Sequence, residues 1–243
     1  MSQTRTIGQL VADSVRLYGQ RFWLTLALGL PLAVLDLVAA GHSLDLQTLG
    51  LWAASPFLTA AYISACVVAG APFERRRAAV AFAIGVVIFL PVPVLFRLAV
   101  LPAVAWLALF GLAVPAAMFE GRSFRAALAR GRDLARADYV HAAGALATLT
   151  ITYFLTRLVL VLLLRGGGQA ADKTAAFLAD LVVSPLLFVG SALLYFDQVA
   201  RAVGSGPQKR RKRDADVHPA VESDHPGRAD AEVEPRPAAR GQS

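Results

Sequence analysis

Between Phe22 and Ala200 the sequence is a succession of apolar runs, each close to the length needed to cross a lipid bilayer. A spanning helix takes about 20 mostly apolar residues, because a hydrocarbon core of about 30 Å is covered at about 1.5 Å per residue. Six such runs are read, at about 22–40, 50–70, 78–96, 98–119, 139–164 and 176–199. A soluble chain of 243 residues can bury one good core, but not six runs of this length. Composition agrees: 56% of the residues are hydrophobic and 17% are charged, against ~25% charged in an ordinary soluble domain. The expected fold is all-α: a polytopic membrane protein with six transmembrane helices, two interfacial amphipathic helices and a disordered C-terminal tail. Its parts are a cytoplasmic amphipathic helix over 1–21, a membrane domain over 22–200 and a basic tail over 201–243. Runs three and four are the least sharply bounded, since Pro91, Pro93 and Pro102 crowd their junction and Arg97 marks the turn. Pro31, Pro56, Pro115 and Pro185 fall inside other runs. Kinks are expected there, with neighbours satisfying the carbonyls that proline frees.

The net charge of +7 does not point to nucleic acid, because the basic residues lie in short segments between the apolar runs. Arg5, Arg16 and Arg21 precede run one, Arg75 to Arg77 follow run two, and Arg122, Arg125, Arg130, Arg132 and Arg136 follow run four. Arg201 and Lys209 to Arg213 follow run six. The alternate connections hold only Arg97, Arg165 and Lys173. The positive-inside rule then places both termini in the cytoplasm and the chain in the cell (inner or plasma) membrane. All but three of the 24 basic residues are arginine, a bias of GC-rich bacterial genomes. Residues 1–40 are not read as a cleaved signal peptide, because the N-region is long and Asp36 interrupts the apolar stretch. The single cysteine, Cys66, lies within an apolar run and is read as a packing residue.

Two polar connections carry helical periodicity. In the first, Ile7, Leu10, Val11, Val15, Tyr18 and Phe22 share a face, and Thr6 with Gln9 has the spacing of a capping box. In the second, Phe124, Ala127, Leu128, Gly131, Leu134 and Ala135 share a face, with Arg125, Arg132 and Arg136 away from it. Such helices are expected to lie in the membrane surface, arginines toward lipid phosphates; packing against the protein is the competing reading. The tail has almost no large apolar side chain and is expected to be disordered. Its cluster Lys209, Arg210, Arg211, Lys212 and Arg213 attracts anionic lipid at roughly ~1 kcal/mol per residue, or serves only as a topology signal. The partners read from the sequence are thus the lipid bilayer and anionic lipids at the cytoplasmic face, without nucleic acid.

Catalytic motifs are missing from the sequence. It holds neither HExxH nor GxSxG, its four histidines lack metal-ligand spacing, and the G-x-x-x-x-K-T of Gly168 to Thr174 lacks the glycine before lysine. No enzyme activity, cofactor or metal is therefore expected. What remain are ionisable residues inside apolar runs: Asp36, Arg157, Asp180 and Asp197. Each costs roughly ~2.5–3.5 kcal/mol at a helix centre unless it finds a partner or an interface. Arg157 lies ~12 Å and Asp180 ~6 Å below the outer ends of their helices, so the two can meet across the last hairpin with Asp36 beside them. The cluster reads either as an ion pair locking helices or as a polar site for an anionic headgroup or a solute. Asp197 lies near the inner interface, where snorkelling explains it. Ala61, Ala65 and Ala69 give a stripe of small residues for close helix packing or a dimer seam.

Three stretches carry a family resemblance: TIGQLVADSVRLYGQRFW at the start, VPAAMFEGRSFRAALARGRDLARADY in the centre and SALLYFDQVAR at the close. With these the chain resembles the six-helix bacterial membrane proteins related to the membrane domain of glycerophosphoryl diester phosphodiesterases. The resemblance implies a six-helix domain of the cell envelope with an interfacial helix before the first span and another in the middle. Where such proteins are enzymes, catalysis belongs to an attached soluble domain, for which these 243 residues leave no room, so no activity is carried over. The expected function is an accessory, envelope or lipid-associated role in the membrane, without catalysis. The alternative is a small-solute or lipid transporter using the polar cluster Asp36, Arg157 and Asp180.

Overall fold

A computed structural model describes residues 6–39, 42–163 and 168–217, without the side chains of 169, 172 and 204–217. Among the described residues the chain is all-helical, with no strand. The helices are α1 (Ile7–Gln20), α2 (Phe22–Ala27), α3 (Leu30–Ala39), α4 (Leu44–Val68), α5 (Arg75–Phe89) and α6 (Val92–Leu98). They continue as α7 (Val100–Phe110), α8 (Ala113–Glu120), α9 (Phe124–Ala137), α10 (Tyr139–Leu163) and α11 (Gln169–Val217). Six stretches are long and apolar enough to cross a membrane: Phe22–Ala39, Leu44–Val68, Arg75–Leu98, Val100–Glu120, Tyr139–Leu163 and Lys173–Val203. They overlap the six runs read from the sequence, the third and fourth included, with ends that differ by up to six residues, the most at the start of the second. Contacts divide the chain into two units, Met1–Ser205 and Gly206–Ser243. The second unit is described only as helical backbone as far as Val217, so the stretch read as an unordered tail begins as helix. Extending an existing helix fixes one residue per added bond and avoids the nucleation cost, which makes this continuation inexpensive. Residues 218–243 of that tail lie outside the described residues.

The prolines shape the bundle through the carbonyls four residues before them. Proline has no N–H, so the residue four earlier loses its helical donor. Pro56 leaves the Trp52 carbonyl, which accepts from the Ser55 hydroxyl at 2.7 Å, and α4 runs on unbroken. Pro115 leaves the Gly111 carbonyl, which accepts from the Tyr62 hydroxyl at 3.1 Å. Here the chain does break, between α7 and α8. At the break between α5 and α6, beside Pro91 and Pro93, the Trp106 and Trp52 indoles donate to the Ile88 and Leu90 carbonyls at 2.9 and 2.8 Å. The third and fourth stretches are therefore bent segments whose loose carbonyls are served by side chains of neighbouring helices.

The core is built on small residues that let backbones approach. Ala61 and Ala65 are buried in the core, so at least that part of the alanine stripe packs inside the bundle. Gly131 brings α9 onto α8: a Cβ there would stand 2.5 Å from the Ala113 nitrogen. Gly29, between α2 and α3, leaves room for the Leu181 carbonyl of α11, which Pro185 deprives of its donor.

Both amphipathic helices are present; the apolar face of α9 is applied to the bundle, while that of α1 is divided, with Leu10 buried and Val15 and Phe22 exposed. On α1, Leu10 and Ser14 are fully buried. The Thr6 and Gln9 capping box is made in both directions. On α9, Ala127, Gly131, Leu134 and Ala135 are buried, while Arg125, Arg132 and Arg136 point outward and are exposed. For α9 the reason is size: a face of Ala127, Gly131 and Ala135 fits closely against another helix, whereas a lipid-inserting face is made of Trp, Phe and Leu.

Candidate functional site

Polar side chains in the bundle collect at its two ends. The arginine-poor end holds the connections at His42 to Ser43 and at Leu98 to Ala99. The arginine-rich end holds those around Glu74, Gly121 and Asp138. At the arginine-poor end, α3, α10 and α11 bring together the three residues singled out from the sequence. One Arg157 terminal nitrogen lies 2.6 Å from Asp36 Oδ2, and the other lies 3.7 Å from Asp180 Oδ1. The hydrogen-bonded partner is thus Asp36, on the first apolar stretch; Asp180, on the neighbouring helix of the expected hairpin, is the looser one. The Tyr153 hydroxyl, one turn before Arg157, donates to Asp180 Oδ1. Asp180 is fully buried and its Oδ2 has no hydrogen-bond partner, whereas the side chains of Arg157 and Asp36 are 29% and 30% exposed. Beside this cluster, Arg97 pairs with Asp45 at 2.6 Å and ties the start of α4 to the end of α6.

The cluster borders a cavity of about 960 Å³, at the upper end of the ~300–1,000 Å³ common for ligand sites. Its polar wall is formed by Asp36, Gln47, Thr48, Arg97, Arg157, Lys173 and Asp180, all near the arginine-poor end. Further along the same helices the wall turns mostly apolar, with Leu58, Leu107, Leu112, Leu146, Leu187, Phe188 and Leu194 around Tyr62, Thr150 and Ser191. Counted along α4, Tyr62 lies ~22 Å beyond Gln47, and both line the cavity. The Phe96 and Phe154 rings, stacked with centroids 6.1 Å apart, form part of the wall between α6 and α10. The arrangement can hold a molecule with a polar head and an apolar tail: ionic partners at one end, and a long, mostly apolar surface leading away from them.

At the arginine-rich end the polar groups tie helices together. Glu120 accepts from Arg130 at 3.0 Å, from the Tyr195 hydroxyl at 2.5 Å and from Arg122, joining α8, α9 and α11. Asp197 is 1% exposed and pairs with Arg201 at 2.8 Å, and Arg201 reaches Asp138 at 3.0 Å. His141 Nε2 stands 2.8 Å from the same Asp197 oxygen, an ion pair when the imidazole is protonated. Asp197 is therefore a buried tie between α10 and α11, where snorkelling to an interface had been the expectation. The spacing of Asp197 and Arg201, four apart on one helix, is the signal that points to this pair. Tyr153, Glu120 and Tyr195 carried no comparable signal. Among the described residues Arg125, Arg132 and Arg136 have no ion-pair partner. The side chains of Lys209, Arg210, Arg211, Lys212 and Arg213 lie outside the described residues. Among the described residues no group of three or more His, Cys, Asp or Glu is placed to hold a metal ion. Comparison with family models, with curated proteins and with solved structures gives no match for this chain.

Proposed function

We propose that the protein resides in a cell membrane with both termini in the cytoplasm, and that it binds an amphiphile, a lipid or a lipid-like molecule, in the cavity between its helices. The observation that carries this reading is the change of the cavity wall from ionic at Asp36, Arg157 and Asp180 to apolar at Leu187, Phe188 and Leu194. Membrane residence is supported by the outer surface of α10, where Ile151, Leu155, Leu158, Val159 and Leu162 are all at least half exposed. A contiguous apolar face of this kind is unfavourable in water and suited to lipid. The arginines of α9 turned away from the bundle supply positive charge for anionic headgroups at the cytoplasmic surface. On this reading the protein is a lipid-associated membrane component without catalysis. Its proposed kin are the six-helix proteins related to the glycerophosphoryl diester phosphodiesterase membrane domain. Carriage of the amphiphile across the bilayer is the second reading, favoured by the depth of the cavity, since ~22 Å is most of a ~30 Å hydrocarbon core.

The test is mass spectrometry of the protein released from mild detergent. The expected result is an amphiphile retained near one per chain, lost when Leu146→Trp and Leu187→Trp fill the apolar part of the cavity. A wild-type protein that carries nothing, and that gains nothing when lipid is added back, would end the proposal. Tracer exchange across liposomes containing the protein separates carriage from static binding.

A further inference from the structure

Two carboxylates and one guanidinium meet at the polar end of the cavity, so with both acids ionised the shelf on which a headgroup would rest carries an excess of negative charge. Arg157 lies 2.6 Å from Asp36 and 3.7 Å from Asp180, and its best contact is already made within the protein. The other cations of the wall do not change this balance. Arg97 is held by Asp45 at 2.6 Å. Lys173 is exposed at the rim, ~10 Å along α11 from Asp180, where water and salt screen it. An anionic headgroup would have to take Arg157 from Asp36 and come to rest beside two acids.

The second observation is the unfilled acceptor. Asp180 is 0% exposed and lines the cavity, with the Asp36 carboxyl beside its own; Tyr153 serves its Oδ1, and its Oδ2 has no hydrogen-bond donor. Buried carboxylate oxygens are ordinarily hydrogen-bonded, because burying them unpartnered forfeits their hydration. A metal ion does not fit, since it needs four or more ligands and no such group is assembled among the described residues. A donor on a cation does fit. Resting on the amphiphile site proposed above, we infer that the shelf of Asp36, Tyr153, Arg157 and Asp180 takes the N–H-bearing ammonium head of an amine-headed amphiphile. Its tail then follows the apolar face of α11 past Leu187 and Phe188. An ammonium with N–H groups satisfies Asp180 Oδ2 and neutralises the excess charge together. A quaternary ammonium offers the charge without the donor, and an alcohol offers the donor without the charge.

The experiment uses the full chain in nanodiscs of neutral lipid and four probes with the same chain: dodecylamine, dodecyltrimethylammonium, dodecanol and dodecyl sulfate. Binding is followed by calorimetry. The amine is expected to bind about tenfold or more tightly than the quaternary cation or the alcohol, as a charged hydrogen bond is strong. Asp180→Asn is expected to abolish that preference for the amine. If that variant does not fold, the wild-type series still decides. Equal binding of all four probes would overturn the headgroup inference and leave the amphiphile site standing; a proton held between Asp36 and Asp180 gives this result. Preference for dodecyl sulfate would reverse the sign of the shelf. Failure of every probe to bind would remove the amphiphile site itself.

Discussion

Arg157 stands between two carboxylates, and the nearer one belongs to the opposite end of the domain sequence. Removing its side chain leaves Asp36 and Asp180 facing each other with no cation between them. Breaking a wholly buried pair by deleting one partner costs ~3–5 kcal/mol. With the Arg157 side chain 29% exposed, a loss of about 1–3 kcal/mol is expected for Arg157→Ala after discounting for solvent, read as a lower Tm in detergent. Rescue should come from Asp36: Arg157→Asp with Asp36→Arg should unfold at a higher temperature than Arg157→Asp alone. The reversed pair with Asp180→Arg should rescue less, because Asp180 is fully enclosed and bonded to Tyr153. A better rescue by Asp180→Arg would show that the looser contact dominates. These three ionisable residues were legible from sequence because a charge in an apolar run is costly and needs a partner. Tyr153 was not legible, since a tyrosine in such a run is ordinary until a neighbour is known. The order of the partners was not legible either, because it depends on how the first apolar stretch lies against α10.

Among the elements, α1 and α9 were legible as amphipathic helices, but what their apolar faces touch was not. Periodicity tells which side of a helix avoids water and is silent on whether lipid or protein covers it. For α9 the residue sizes held a further clue, since Ala127, Gly131 and Ala135 make a groove more than a wedge. Gly131 tests this. In a helix interior, glycine to alanine stabilises by about 1 kcal/mol, and Gly8, in the first turn of α1 with nothing within 4 Å of a built Cβ, should show a smaller gain of the same sign. At Gly131 the Cβ would stand 2.5 Å from the Ala113 nitrogen and 2.7 Å from its Cα. Backbone cannot step aside as a side chain can, so Gly131→Ala should lower stability by about 1–3 kcal/mol. Thermal unfolding of the two variants should move in opposite directions. A stabilised Gly131→Ala would mean that α9 does not sit on α8 in this way. The breaks inside the third and fourth stretches follow the same division: the prolines predicted them, while the indoles and the Tyr62 hydroxyl that repair them come from helices distant in sequence.

For the whole molecule, the six long apolar stretches were legible, because length and hydropathy are local properties of the sequence. The cavity was not, because it is the space left where bent helices fail to close. The two polar ends differ in kind: one ties helices around Glu120 and Asp197, and the other borders the cavity. Orientation is tested by placing a cysteine at His42 or at Arg76, which lie at the two ends. A membrane-impermeant maleimide added to intact cells should label His42→Cys, and should label Arg76→Cys only after the membrane is opened. The reverse pattern would turn the molecule over and place the cavity mouth toward the cytoplasm.

Cys66 is the only thiol in the sequence, and it is fully enclosed in the core on α4. The protein therefore carries its own clock for breathing motions. A thiol dye can react with it only in the instants when α4 parts from its neighbours, so the rate of dye uptake measures how often the bundle opens. A molecule that fills the cavity beside Leu58 and Tyr62 should slow that clock, and it would do so with no engineered label anywhere in the chain.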